Sequence, residues 1–210
     1  LISRFVQIEF EYKYTKLSKH KYIDFVDSYS AAFRREIFLQ MGGFDTSFPT
    51  ACAEDADLSF KLAKQGHKMI FNPKAIVYHL HPETLGDYLK RKYTYISWRP
   101  ITIKRYPGHS LNDSYTPLSF KMQIILAPIV SFTFVLFLAD KGFGPLIATS
   151  IGFFAATVPF IARSVMLAWK VAIVSSPVLF LRGIAQFLGL TVGFVRLFFQ
   201  TGYHSITEVD

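Results

Sequence analysis

Three acids within four positions, Glu54, Asp55 and Asp57, open a segment that reads as a helix, and a His-Leu-His triplet, His79–His81, follows beyond Gly66 and Pro73. Carboxylates at a helix start are stabilised by the helix dipole, and a general base must be ionised to accept a proton. Neighbouring helical residues point about 100° apart, so Glu54 and Asp55 reach one cleft only from the first turn or the loop before it. Acids are also common at helix starts for the dipole alone, and that reading stays open. Residues two apart on a strand face the same side, so His79 and His81 could meet one metal ion or one phosphate. Surface or packing histidines give the same pattern. Cys52, the single cysteine, excludes an internal disulfide; it reads as a small packing residue or, with no partner implied by spacing, a nucleophile.

The elements that must position these groups follow from periodicity. Residues 1–22 predict an amphipathic helix, and 23–33, β-branched and aromatic before turning small, a strand entering a loop. Residues 34–41 predict a short helix stopped by Gly42–Gly43. A loop leads to a helix over Glu54–Gln65, with Leu58 and Leu62 on one face and Gly66 as its C-terminal stop. "HKMIF" and "AIVYHL" predict short strands around an Asn72–Pro73 turn. Residues 84–99 mix Tyr88, Tyr93 and Trp98 with Lys90, Arg91, Lys92 and Arg99. This suits a helix at the lipid headgroups, or one docked on the polar part with a solvated basic face.

Composition divides the chain. Residues 1–118 hold 17 of the 23 Lys and Arg and 12 of the 15 Asp and Glu, so 119–210 hold only 6 basic and 3 acidic residues. The formal charge of +8 points to anionic lipid or phosphate, and without interleaved aromatics it argues for no nucleic-acid partner. Residues 119–139 and 143–162 are each long and apolar enough to span hydrocarbon, and 171–199 is apolar but carries Arg182 and Arg196. An Arg at a helix centre costs roughly 2.5–3.5 kcal/mol, so Arg182 must be paired, snorkelling, or at a break. Lys and Arg flank the first span on its polar side, which puts residues 1–118 in the cytoplasm of an integral membrane protein.

The motifs resemble, in order and spacing, the C-terminal part of the family 2 glycosyltransferases. A small-residue loop (Ser30–Phe33), Arg34–Arg35, GGFD (Gly42–Asp45), the Glu54–Asp55 pair opening a helix that ends at Gly66, Pro73, then His79 all match. The resemblance implies an inverting enzyme that uses a nucleotide-diphosphate sugar donor and a lipid-linked or cell-envelope glycan acceptor, on an A-type fold. That is a partial Rossmann-like α/β domain over 1–118, followed by an α-helical transmembrane region over 119–210. Asp55 then looks like the catalytic base, and Glu54 shapes the acceptor site or orients it. Gly42, Gly43, Phe44 and Asp45 line the acceptor pocket. His79 sits where some members hold Mg²⁺ or Mn²⁺, with His81 a second candidate. Arg91, Lys92 and Trp98 lie at the membrane interface near the diphosphate.

Two departures matter. "RKYTYISWRP" stands where processive members carry QxxRW, without matching it. No DxD precedes the acceptor region, so the donor-binding half, with part of the metal site, is expected upstream in a longer enzyme and the fragment alone is expected to be inactive. The alternative is a non-catalytic membrane protein, a degenerate fragment or a scaffold. A metal-dependent hydrolase using His79, His81 and the acids lacks a further ligand cluster.

Overall fold

The computed structural model describes residues 1–199. Helix α1 (Ile2–Leu17) buries Phe5, Val6, Ile8 and Glu9 along one face. A 3₁₀ turn at Ser28–Ser30 precedes α2 (Arg35–Gln40), which Gly42 and Gly43 end at φ +79° and +70°. Their N–H groups bond back to Leu39 O and Phe38 O, a closure that needs the left-handed conformation glycine adopts freely. Helix α3 (Glu54–Lys64) starts with three acids and ends with Lys61 and Lys64, each sign at the favourable end of the dipole. Thr84 caps α4 (Leu85–Ser97) by accepting from Asp87 N at 3.1 Å. Two short helices, α5 (Arg99–Arg105) and α6 (Pro107–Leu111), lead to α7 (Leu118–Leu138), α8 (Gly144–Leu167) and α9 (Trp169–Phe199). These last three are long and apolar enough to cross a membrane, and most of their surface is unburied within the chain.

The expected α/β, Rossmann-like fold is not what the chain forms. Among the described residues there is no strand, only an isolated antiparallel bridge between Ile23 and Met69. The reason lies in where the backbone groups of the extended 23–27 segment go. Ile23 N reaches Met69 O at 3.0 Å, but Asp24 N is taken by Ser114 Oγ and Val26 N by Ser59 Oγ. Side-chain hydroxyls thus occupy donors that a neighbouring strand would need. Residues 77–80 take no regular structure, with Tyr78 and Leu80 exposed. A lone two-stranded pairing is marginal in water, so these segments remain extended chain without a ladder.

The composition break at residue 118 coincides with the start of α7, yet packing crosses it. One apolar cluster joins Phe5 and Ile8 of α1 and Tyr88 of α4 to Phe120, Phe160, Val171 and Leu179 of the apolar helices. Helix α9 approaches α7 through Gly183, against Gln123 and Ala127, and α4 through Gly189, against Tyr93 and Ile96. Arg182 is fully buried and paired. It donates to Gln123 Oε1, lies 3.9 Å over the Phe120 ring, and stands 3.6 Å from Glu9 Oε1. Glu9 also meets Lys92 at 2.5 Å, Lys13 at 3.2 Å and the Tyr88 hydroxyl at 2.7 Å. Burial pushes the Glu9 carboxyl up, but Lys92, Lys13 and Arg182 outweigh it and hold it well below the usual carboxylate range.

Removing one member of a buried ion cluster leaves the others uncompensated. Glu9→Ala is expected to cost about 3–5 kcal/mol, read as a lower denaturation midpoint in detergent. A Cβ at Gly189 would lie 2.5 Å from Tyr93 O, which is backbone and cannot yield without moving α4. Gly189→Ala should therefore lose about 1–3 kcal/mol in the same assay. Gly152→Ala, facing open space, should be neutral or slightly stabilising.

Candidate functional site

Helix α3 presents its first turn to the 3₁₀ turn through local bonds that sequence alone would not reveal. Glu54 folds back so that its Oε2 accepts from Cys52 N at 2.7 Å, which fixes the loop before the helix. Asp55 Oδ1 accepts from Ala56 N at 2.7 Å, and its carboxylate also takes the Ser28 N–H. One turn on, Ser59 Oγ accepts from Val26 N at 3.1 Å. The 26–28 chain is thus held across α3, and the charge of Asp27 is felt at Asp55.

The electrostatics follow from this crossing. Burial, then the charges of Asp27 and Glu54, push the Asp55 carboxyl up to about 7. Asp27 is raised to about 6 by burial, opposed by the charges of Lys13, Lys92 and His79 and a hydrogen bond from Tyr115. The Tyr14 hydroxyl also donates to Asp27 at 3.3 Å. Tyr29, beside the pair, is raised by burial and the Asp55 charge; Tyr95 of α4 is raised chiefly by burial. Both carboxyls exchange protons near neutrality, as a base must.

A cavity of about 1000 Å³ opens beside this pair, between α1, the 23–34 segment and the 66–79 chain. Asp27, Tyr29, Arg34, His79 and His81 line it; Asp55 is not part of its wall. The His79 ring lies 4.7 Å from Tyr29 and 5.4 Å from His81. His81 is tied down by Gln7 Oε1 at 2.8 Å and stacks on Phe10, and burial lowers its proton affinity. Among the described residues no three His, Cys, Asp or Glu side chains converge as a metal site. His79 offers one ligand at most, so the residues present do not make a cation site by themselves.

A family model described as glycosyl transferase family group 2 matches residues 12–199. The chain belongs to that family. It is also similar to the pre-mycofactocin glycosyltransferase of Mycobacterium tuberculosis, strains CDC 1551 / Oshkosh and ATCC 25618 / H37Rv. In each case 32% of 76 residues are identical, over 36% of this chain and 16% of the relative, so the match spans well under two thirds of that protein's length. No solved structure matches the chain.

The remaining glycosyltransferase motif residues occupy distinct places. Asp45 of the GGFD loop is held by Arg105 at 2.8 Å, and the same guanidinium holds Asp57 at 2.8 Å, so Arg105 staples the loop to α3. Gly43 lies against the Phe38 ring, which also meets Phe44. Cys52 has its thiol raised by burial, which keeps it protonated. Lys92 reaches inward to Glu9, Arg91 of the same helix is exposed, and Trp98 sits between Phe48 and Arg196, whose guanidinium is 4.1 Å over its ring. Sequence reasoning missed Asp27, Tyr29, Lys13 and Arg105. Asp27 interrupting an apolar run was its single local signal; its bond from the Tyr14 hydroxyl and its place on the cavity wall are tertiary.

The raised Asp55 gives a signed stability prediction. Its ordinary value is 3.8, so between about 4 and 7 the folded chain holds a proton that the unfolded chain has released. Stability from this group is present at low pH and falls as pH rises through 7. Asp55→Asn should then melt a few °C above wild type at pH 8, with the gap narrower at pH 5 and closed only below about 4. Equal melting differences at both pH values would refute the environment described.

Proposed function

We propose that this chain carries the acceptor side and the membrane anchor of an inverting glycosyltransferase. It would transfer a sugar from a nucleotide-diphosphate donor to a lipid-linked or cell-envelope glycan acceptor, with Asp55 as the general base. The observation that carries the reading is Asp55 itself. The family's acid pair opens α3 with Asp55 half-buried beside Asp27 and able to take up a proton near neutrality.

In the proposed step a carboxylate oxygen of Asp55 takes the proton of the acceptor hydroxyl while the acceptor's oxygen attacks the anomeric carbon in line. The bond from that carbon to the diphosphate oxygen breaks, and the leaving group departs with the electron pair on the opposite face, which inverts the centre. Glu54, anchored on Cys52 N, holds the first turn of α3 in place. The GGFD loop, stapled by Arg105, forms the acceptor-side wall. Developing charge on the diphosphate calls for a cation. Arg91, exposed on α4, is the available fixed charge, while Lys92 is engaged by Glu9. Mg²⁺ or Mn²⁺ would need ligands beyond His79.

Lys90, Arg91, Lys104, Arg105, Arg163 and Lys170 fall on the side of the apolar helices where residues 1–118 lie. The α7–α8 link has Asp140 and Lys141 as its charges. That bias supports a cytoplasmic site, where nucleotide sugars are available. The reading is tested by assaying sugar transfer in membranes containing the natural acceptor. Asp55→Asn should lower kcat by about 10²–10⁴-fold with donor affinity retained. The wild-type rate should fall below pH about 7, because protonating Asp55 removes the base. Near-wild-type kcat in Asp55→Asn would remove Asp55 from the role.

A further inference from the structure

Helix α9 has the length and apolarity of a membrane-crossing helix, but its neighbours change halfway along. Its first half packs on α7 and α8. Ser176 meets Thr157 at 3.3 Å, the Phe180 ring lies 5.5 Å from that of Phe153, and Gly183 rests against Gln123 and Ala127. Among the described residues, the apolar cluster shared with those two helices takes nothing from α9 beyond Ile184. From there its partners belong to the polar part of the chain. Gly189 lies against Tyr93 and Ile96 of α4, Gly193 against Ser97 O and Pro100, and the Arg196 guanidinium over the Trp98 ring.

The helices that cover this second half carry charges that hydrocarbon would not accept. Lys90 and Arg91 of α4 and Lys104 of α5 are exposed. Arg99, next to Pro100, is paired with Asp113 at 3.0 Å, and Asp113 also holds Lys121 at the polar end of α7. Trp98 packs on Phe48 from the loop before α3, and Arg105 bonds Asp45 and Asp57. Gly193 lies ten residues past Gly183, about 15 Å further along the axis. Were α9 to continue across the bilayer beside α7, Gly193 would draw α4, α5 and their charges toward mid-depth, where each is costly. The face of α9 turned away from α4 and α5 is apolar and uncovered. Leu188, Val192, Val195 and Phe199 stand at i, i+4, i+7 and i+11 on one stripe, all exposed.

We infer that the second half of α9, residues 186–199, lies in the plane of the membrane surface beneath α4 and α5, with the Leu188–Phe199 stripe in the acyl chains, and does not complete a crossing. The occupant of the stripe is lipid. It continues a helix whose first half is already seated on α7 and α8, and the exposed Lys90 and Arg91 of the helix covering it supply cations for headgroup phosphates. The inference rests on the membrane anchor proposed above, with α7 and α8 as the crossing pair. It adds that the end of α9 stays on the side where residues 1–118 lie.

The test places nitroxides on single cysteines in the full chain carrying Cys52→Ser, reconstituted in phosphatidylcholine–phosphatidylglycerol vesicles. Depth is read from the ratio of collision with oxygen, which partitions into lipid, to collision with a polar nickel chelate. The stripe is sampled by Leu188→Cys, Val192→Cys, Val195→Cys and Phe199→Cys, and α7 by Met122→Cys, Ile125→Cys, Ile129→Cys and Phe132→Cys. All eight side chains are exposed, so none of these changes removes core packing. Along α7 depth should change steadily, by about 15 Å from 122 to 132. The α9 stripe should be oxygen-rich and hold one depth to within a few Å. A steady change of about 16 Å from 188 to 199 overturns the inference, because it is the signature of a crossing helix. Low access to both reagents along the stripe also overturns it, since protein, either a partner or a second copy, then covers the face. A flat profile along α7 removes the membrane anchor itself, so that failure is told apart from a crossing α9.

Discussion

The Glu9 carboxylate sets the constraint on which much of the remaining arrangement depends. It is buried among Lys13, Lys92, Arg182 and the Tyr88 hydroxyl, so a single anion draws in cations from α1, α4 and α9 at once. Desolvating these charges is costly, and it is tolerable only because each finds a partner. Their mutual dependence fixes where α1 and α4 can sit on the apolar helices. It also explains how Arg182 is accommodated in an apolar run: Glu9 supplies the counter-charge, Gln123 an acceptor and Phe120 a ring face. Lys92, buried in this cluster, is depressed to about 7 by desolvation against the pull of Glu9.

From that anchor the geometry runs outward to the site. Lys13 and Lys92 touch Glu9 on one side and bias Asp27 toward its charged form on the other. Lys16, a turn beyond Lys13, donates at 2.8 Å to Asp113 O and Thr116 O, tying α1 to the linker that enters α7. Asp113 in turn holds Arg99 and Lys121 at 3.0 and 3.3 Å. Asp27 is therefore framed by the same ion network that seats the polar part on the apolar helices.

The absence of a sheet among the described residues has a local cause. The 23–27 segment has the β-branched and aromatic content of a strand, but Ser59 and Ser114 hydroxyls bind its N–H groups, and Met69 gives the single backbone partner. The same bonds that deny it a ladder hold Asp27 against α3. The 66–79 chain meets 23–34 at the Ile23–Met69 bridge, and both segments line the cavity.

Local pattern determined much of this protein. Helix positions, the stops at Gly42–Gly43 and Gly66, the acids at the start of α3 and the three membrane-length helices are all legible because they rest on periodicity, capping and hydrophobic length within one segment. The family was legible too, since its motifs are short and ordered along the chain. The strands were not, because a strand exists only through backbone partners elsewhere, and propensity cannot say whether a serine hydroxyl takes the bond first. Nor could sequence say that Glu9 would answer Arg182 from 173 positions away, that Arg105 would join Asp45 to Asp57, or that Asp27 would line the cavity beneath the Tyr14 hydroxyl. A buried charge declares its need for a partner, but only tertiary packing chooses which side chain is close enough, and dry enough, to meet it.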